Sequence, residues 1–242
     1  MRIQFPGTRG EIDISSRDHR RHSCLLIEGR VLVDCGLDWL GNFGSPEAIV
    51  LTHAHADHVG GLKYGADCPV YATAQTWARL KSYPLSDRRV VIPMQTLAVC
   101  GLKFEAFHVE HSLIAPTVGY RVTDRSASIV YLPDVAKIPR GHRALSGASL
   151  YIGDGASIVR PLTRRRGDAV IGHASVRDQL DWCREEEVTK VAITHCGSQI
   201  VRSDSEAIDR LKVLGNQRGV DVVLAHDGMK MIVGKKRIRV GD

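Results

Sequence analysis

Short apolar runs, each ended by glycine, proline or a charged residue, fill the first half of the chain and are typical of β-strands. Residues 24–27 and 31–34 flank the pair Glu28-Gly29, which predicts a hairpin. Residues 74–81 are predicted to form a helix between two of these runs. The predicted strands of this half are 2–5, 24–27, 31–34, 48–52, 70–72, 90–93, 102–108, 118–122 and 129–132.

The last third of the chain alternates helical segments with short apolar runs. Ser175 precedes a predicted helix at 176–187, and Ser203 with Glu206 forms a capping-box pattern that opens another helix to about residue 217. The predicted strands here are 190–194, 221–225 and 229–233. Because no linker rich in proline, glycine or serine divides these elements, we expect one α/β domain over residues 1–242.

The composition is that of a folded globular protein, since 43% of the 242 residues are hydrophobic and 25% are charged. No apolar run approaches the roughly 20 residues that a membrane-spanning helix needs. The opening six residues contain no apolar stretch of signal-peptide length. We therefore expect a cytoplasmic protein without a membrane anchor.

The cysteines and the net charge limit the classes of site and partner that we expect. The six cysteines are scattered and none forms a C-x-x-C pair, so we expect reduced, mostly buried thiols rather than a zinc finger or a disulfide framework. The net charge of +6 favours anionic partners such as phosphates or nucleic acid. Aromatic residues are only 5% of the chain, which supports a small phosphodiester or a nucleic-acid end better than a long base-stacked strand.

Histidines carry the strongest chemical signal. Directly after the apolar run 48–52, the chain reads H-x-H-x-D-H at His53, His55, Asp57 and His58. Four metal-competent side chains within six residues favour a metal site over a His-rich surface loop. Imidazole with carboxylate is the usual ligand set of zinc, with manganese and iron as the alternatives.

Further metal-competent side chains follow later apolar runs. Two cations held about 3.5–4 Å apart call for a bridging carboxylate and more ligands. The candidates at later strand ends are His111, Asp134, His173, His195 and His226. His195 and His53 each follow a Thr that ends a predicted apolar strand, which is a weak internal sequence repeat.

This pattern resembles the metallo-β-lactamase superfamily over nearly the whole chain, and most of all its phosphodiesterase branch, which includes ribonuclease Z and the cyclic-phosphate phosphodiesterase of phosphonate operons. Beside H-x-H-x-D-H, four segments carry the resemblance. They are the opening Gly7-Thr8-Arg9-Gly10, the turn Asp34-Cys35-Gly36, Gly172-His173-Ala174-Ser175, and the closing His226-Asp227-Gly228. The resemblance implies a four-layer αββα fold, in which two mixed sheets pack face to face with helices outside.

The resemblance also implies a role for each candidate residue. His53, His55 and His111 would hold one metal. Asp57, His58 and His226 would hold a second, and Asp134 would bridge the two. His173 would protonate the leaving group. The remaining assignments are Asp154 as the residue that orients His173, His195 as a phosphate contact or a residue behind the metal ligands, and Asp34 as the partner that fixes histidine tautomers. The candidate catalytic residues are therefore His173, Asp57, Asp154 and His195.

The expected activity is hydrolysis of a small phosphodiester or a nucleic-acid end by hydroxide generated between two divalent ions, most simply zinc. A lactone, thioester or β-lactam hydrolase on the same fold is the alternative, and a non-catalytic binding protein ranks last. Only residues 112–133 separate His111 from Asp134, so the long tRNA-gripping arm of ribonuclease Z is absent and tRNA 3′ maturation in its usual form is not expected. The resemblance also allows a homodimer.

Two basic runs have open interpretations. Arg160 and residues 164–166 precede His173 and would either hold substrate phosphates or form a solvated loop. Residues 235–239 lie far past the motifs and are interpreted as solvated.

Overall fold

Two mixed β-sheets form the centre of the protein. The computed structural model describes residues 1–36, 45–139, 142–235 and 237–241, without the side chains of residues 142 and 143. Lys236 of the basic C-terminal run lies outside the described residues. The strands are β1 Arg2–Gly7, β2 Cys24–Ile27, β3 Val31–Val33, β4 Ala48–Val50, β5 Val70–Thr73, β6 Arg88–Val91, β7 Thr96–Val99, β8 Leu102–Val109, β9 Thr117–Thr123, β10 Ser128–Tyr131, β11 Leu150–Asp154, β12 Leu162–Arg166, β13 Ala169–His173, β14 Lys190–Thr194, β15 Asp221–Leu224, β16 Lys230–Val233 and β17 Ile238–Gly241.

In the part of the chain that the structure describes, five α-helices and two short 3₁₀ helices lie between the strands. The α-helices are α1 Ala56–Val59, α2 Ala74–Arg79, α3 Val176–Glu185, α4 Ser198–Arg202 and α5 Asp204–Asn216, and the 3₁₀ helices are Gly60–Tyr64 and His142–Leu145. Within the described residues, no helix is both long and apolar enough to cross a bilayer.

The two large sheets pack through one apolar layer. The first has the strand order β17-β16-β1-β2-β3-β4-β5-β6, and the second has β15-β14-β11-β10-β9-β8-β7. Phe5 and Leu25 of the first sheet and Phe104, Tyr120 and Ile152 of the second belong to this layer, and each is almost fully buried. Burial of this apolar surface is the main force that holds the sheets together.

Helices cover the outer faces of both sheets. Leu180 of α3 and Leu211 of α5 pack on the outer face of the second sheet. Trp77 of α2 and Leu62 of the first 3₁₀ helix pack on the outer face of the first sheet. The predicted αββα layers are confirmed.

Strand direction brings the strand-end residues of both sheets to one rim. Strands β3, β4, β5 and β6 are mutually parallel, and so are β10, β11, β14 and β15. Strand β8 runs the same way as β10 because both are antiparallel to β9 between them. The carboxyl ends of parallel strands meet at one edge, which is where α/β sheets place their sites.

Most predicted elements are present with ends that shift by one to three residues. Helix α3 begins after Ser175 as predicted, and Ser175 caps it, because its hydroxyl accepts from the Asp178 N–H and the Asp178 carboxylate accepts from the Ser175 N–H. The capping box at Ser203 is wrong, because that residue ends α4 directly before α5 and its side chain makes no cap bond. Strands β7, β11, β12 and β17 and helix α4 were not predicted.

The thiols are as expected. All six cysteines are free, four of them buried and two, Cys68 and Cys100, partly buried.

The apolar layer between the sheets generates a stability prediction. Replacing Phe104 with Ala should lower the free energy of unfolding by about 3–5 kcal/mol, because the ring is 1% exposed and packs edge-on to Tyr120 with centroids 5.8 Å apart. Lys103→Ala, the neighbouring exposed position on β8, should change it by no more than about 0.5 kcal/mol. Urea unfolding of both variants measures the difference, and equal effects would contradict the assigned core.

Candidate metal centre

The H-x-H-x-D-H segment turns sharply after β4. His53 and His55 lie in the loop, while Asp57 and His58 belong to the single turn of α1. His53, Asp57 and His58 are buried, and His55 is partly exposed. The loop needs close backbone packing, since a Cβ on Gly61 would lie 2.5 Å from the Gly36 carbonyl oxygen.

Three histidine nitrogens converge at one point. His53 Nε2 lies 2.9 Å from His55 Nδ1, and His111 Nε2 lies 3.3 Å from the same atom. His111 Nδ1 donates to the Gly172 carbonyl at 2.9 Å, which leaves its Nε2 as a lone-pair donor. Burial lowers the pKa of all three imidazoles, so they stay in the neutral form that binds metal.

The buried carboxylate of Asp34 fixes the orientation of the loop. Its Oδ1 accepts from the Thr52 N–H at 2.8 Å, and its Oδ2 accepts from His58 Nδ1 at 2.9 Å. The Thr52 hydroxyl donates to Asp34 and accepts from His53 Nδ1 at 2.9 Å. Both His53 and His58 therefore present Nε2 to the cluster, as expected for a residue that fixes tautomers.

A second group of ligand atoms lies beside the first. Asp57 Oδ2 is 3.1 Å from His58 Nε2 and 3.2 Å from His195 Nε2. These three residues form one potential metal-binding set, with all their ligand atoms within 4.8 Å of one another. His195 packs against the opening loop, where a Cβ on Gly10 would lie 3.1 Å from His195 Cε1.

Asp134 lies between the two groups. Its Oδ2 is 2.8 Å from His58 Nε2 and 3.4 Å from His195 Nε2, and its Oδ1 is 3.5 Å from His111 Nε2. His58 Nε2 and Asp134 Oδ2 are buried, yet neither has a partner with hydrogen-bond geometry. Buried polar atoms that face one another without such a bond fit a divalent cation held between them.

The charges of this core are strongly coupled. Burial opposes ionisation of Asp57 and Asp134, but the neighbouring imidazoles prevail and hold the pKa of each carboxyl well below its usual value. Burial likewise opposes protonation of His58 and His195, and the surrounding carboxylates raise the pKa of each above its usual value. Carboxylates that stabilise protonated histidines in this way would also stabilise metal cations in the same place.

His173 stands at the rim of the cluster, next to a buried carboxylate. Its Nδ1 donates to Asp154 Oδ2 at 2.7 Å, and its side chain is 23% exposed. Asp154 is fully buried and also accepts from the N–H groups of Val135 and Ala156. Despite burial, the Asp154 charge raises the pKa of His173.

Six of the predicted site residues line one cleft of about 420 Å³, namely His55, Asp57, His111, Asp134, His173 and His195. His53, His58 and Asp154 are fully buried in contact with them. His226 is exposed, its Nδ1 lies 3.3 Å from the Asp227 carbonyl, and it belongs to none of the ligand groups. The residue that lies beside Asp57 and His58, where His226 was predicted, is His195. The physical reason is strand order, because β15 is the edge strand and β14 lies one strand, about 4.8 Å, nearer to Asp134.

Glu11 is a residue of the cleft that was not predicted. It lines the opening beside Asp57, and hydrogen bonding to Asp57 together with burial raises the pKa of its carboxyl. The one sequence feature that could have indicated Glu11 is its position directly after the segment Gly7-Thr8-Arg9-Gly10.

Comparison with characterised proteins finds relatives of several kinds. The transcription termination factor FttA of Methanothermobacter thermautotrophicus is 29% identical over 161 residues, 55% of this chain and 24% of that protein. The exodeoxyribonuclease WalJ of Streptococcus pneumoniae serotype 2 is 30% identical over 103 residues, 38% of this chain and 37% of WalJ. The ribonuclease Z of Methanopyrus kandleri is 28% identical over 142 residues, 50% of this chain and 49% of that enzyme. This chain spans less than half the length of each of them.

Solved structures share the fold across nearly the full chain. The metallo-β-lactamase fold protein YhfI of Bacillus subtilis has a TM-score of 0.75 at 17% identity, covering 95% of this chain and 97% of YhfI. Zn²⁺-bound PqqB of Methylobacterium extorquens has a TM-score of 0.74 at 17% identity, covering 96% and 100%. A diphosphatase of the PhnP family has a TM-score of 0.66 at 22% identity, covering 95% and 96%.

A family model described as the beta-lactamase superfamily domain matches residues 29–196. The matched range begins before Asp34, ends just after His195, and excludes His226. The chain therefore belongs to the beta-lactamase superfamily and has the metallo-β-lactamase fold.

Proposed function

We propose that the protein is a metal-dependent phosphodiester hydrolase that acts on a small phosphodiester or on a nucleic-acid end. The observation that carries the proposal is the His173–Asp154 pair beside the cluster, because a hydrolase of phosphodiesters needs a proton donor for the leaving oxygen. Relatives named as an exodeoxyribonuclease and as ribonuclease Z support the same substrate class.

The donor set fits two divalent cations. His53, His55 and His111 would hold one, Asp57, His58 and His195 the other, and Asp134 would contact both. When bound, two such ions supply a water of lowered pKa as nucleophile and neutralise charge on the phosphoryl oxygens. Zinc fits a site of imidazole and carboxylate, and the structural neighbour PqqB is Zn²⁺-bound.

The chain's own residues would place and protonate the substrate. Asp154 holds His173 by its Nδ1, so Nε2 is the atom that carries the transferable proton. The Asp154 charge favours the protonated ring, which is the form that a general acid requires. After bond cleavage the proton passes from Nε2 to the leaving alkoxide, and a water proton restores the imidazolium.

A substrate panel tests the reaction class. With the metal-loaded protein, bis-p-nitrophenyl phosphate should be hydrolysed in preference to a chromogenic β-lactam, a lactone and a thioester, because the proposed pair of cations would neutralise charge on the phosphoryl oxygens. Steady-state rates at matched concentrations measure the preference. Turnover confined to the lactam, lactone or thioester would replace the proposal with the alternative hydrolase.

Loss of the proton donor should separate chemistry from metal binding. His173→Ala should lower kcat on a poorly activated diester by about 10²- to 10⁴-fold while the metal content stays constant, because in this proposal His173 donates a proton and is not one of the seven residues that hold the cations. Elemental analysis and kinetics provide the two readouts, and His108→Ala, at an exposed position on β8, is the matched control. A drop in metal content, or an unchanged kcat, would refute the role.

The two candidate ligands of the second metal make opposite predictions. His195→Ala should remove one of two metal equivalents, whereas His226→Ala should retain both, because only His195 reaches Asp57 and Asp134. Metal stoichiometry by mass spectrometry of dialysed protein decides, with far-UV circular dichroism to confirm that each variant folds. The reverse pattern would restore His226 to the site.

A further inference from the structure

A groove beside the metal cluster is not used by the proposed chemistry. It has a volume of about 700 Å³ and lies between the β12–β13 hairpin and residues 112–114. The groove and the catalytic cleft share His55, His111 and Leu162 as lining residues, so the two spaces are continuous. Whatever enters the groove reaches the cluster.

The register of the hairpin decides which side chains face this groove. Leu162 pairs with His173, Arg164 with Ile171, and Arg166 with Ala169. Because directly opposed residues of an antiparallel pair project from the same face, Arg164 and Arg166 share the face that carries His173. They lie about 7 and 13 Å further along the strand, two residues at a time. Arg165 projects from the opposite face and does not line the groove.

The guanidinium groups on this face are available to a ligand. All residues of β12 are exposed, and among the described residues neither Arg164 nor Arg166 makes an ion pair. The nearby acidic residues do not line the groove. Glu110 accepts a hydrogen bond from the Val170 N–H at 2.7 Å and pairs with Lys137 at 3.9 Å. Asp168 lies in the turn between β12 and β13. The groove is therefore lined by positive charge.

The facing wall is apolar. Leu113 is 56% exposed and Ile114 is 68% exposed, although both are large aliphatic residues. Leu162, at 55%, continues this surface towards His173. An exposed apolar wall opposite a row of cations matches a ligand with flat apolar groups on one side and regularly spaced anions on the other.

We propose that this groove binds the end of a single-stranded nucleic acid, with backbone phosphates on Arg164 and Arg166 and bases against Leu113 and Ile114. The inference rests on the proposed phosphodiesterase activity and extends it, since the scissile phosphate would lie at the cluster and the groove would hold the nucleotides next to it. Residues two apart on a strand are spaced suitably for consecutive phosphates of an extended strand. Two arginines on this face set a footprint of about two phosphates beyond the scissile one.

Binding of oligonucleotides of graded length tests the footprint. Fluorescence anisotropy would use metal-loaded His173→Ala protein, so that the probe stays intact, and end-labelled DNA and RNA in separate arms. Affinity should rise from dinucleotide to tetranucleotide and then level off. The double variant Arg164→Gln/Arg166→Gln should lose about tenfold or more on the tetranucleotide, and its log–log salt slope should fall by about 1.4, since each single-strand phosphate contact contributes about 0.7.

Arg165→Gln is the matched control for each of the single variants Arg164→Gln and Arg166→Gln, because it also removes one charge from the same strand, but from the opposite face. It should leave the length dependence and the salt slope as in the parent. An equal loss in Arg165→Gln would show that general charge attraction explains binding, and it would overturn the groove assignment. Affinity that does not change with length would overturn it as well and favour a small phosphodiester.

These outcomes are distinguishable from failure of the proposed function. Absence of diester hydrolysis by the wild-type protein would refute the catalytic proposal, whereas the anisotropy results refer to binding alone. A protein that hydrolyses bis-p-nitrophenyl phosphate but binds oligonucleotides without the Arg164 and Arg166 dependence would keep its function and lose the groove.

Discussion

The buried carboxylate of Asp134 is the group on which the site depends. It is 2% exposed and has nitrogens of His58, His111 and His195 within 3.5 Å, at the rim where the two sheets meet. An ionised carboxylate placed there without compensation costs several kcal/mol of desolvation. Opposite charge at close range must offset that cost, either as protons on the histidines or as cations between them. Binding of the proposed cations would therefore also stabilise the fold.

Two residues at the same rim have a strained backbone conformation. Asp34 has a φ of 64° and His195 a φ of 50°, in the left-handed region that residues other than glycine adopt at a cost of about 1–2 kcal/mol. Asp34 is held there by bonds from Thr52 and His58, and His195 by packing against Gly10 and the charges of Asp57 and Asp134. Both residues contact imidazole or carboxylate groups of the cluster, so the local cost in backbone energy is tied to the geometry of the cluster.

Local sequence pattern was sufficient for much of this arrangement and insufficient for a specific part of it. The H-x-H-x-D-H spacing, and the rule that polar residues after parallel strands share an edge, predicted that His111 and Asp134 lie beside the loop, as they do in the structure. Asp154 was predicted only from the resemblance to the superfamily. The same rule selected both His195 and His226, since each follows a strand that runs in that direction. Only the lateral strand order separates them, and lateral order depends on tertiary packing that no short window of sequence encodes. The mistaken capping box at Ser203 has a similar origin, because the unpredicted helix α4 ends on that residue.

The β12–β13 hairpin shows why the basic run was ambiguous as sequence. Residues 162–166 lack the apolar alternation of a strand, and all are exposed, so their strand conformation comes from pairing with β13 rather than from burial. Once β12 pairs with β13, the alternation of side chains along a strand fixes which residues share a face. The face that carries His173 therefore also carries Arg164 and Arg166. A shift of the register by one residue would turn these arginines away and present Thr163 and Arg165 instead. The register of the β12–β13 hairpin thus sets both the position of His173 and the charge of the adjoining groove. If both act as proposed, substrate preference and catalysis will change together when this hairpin is altered.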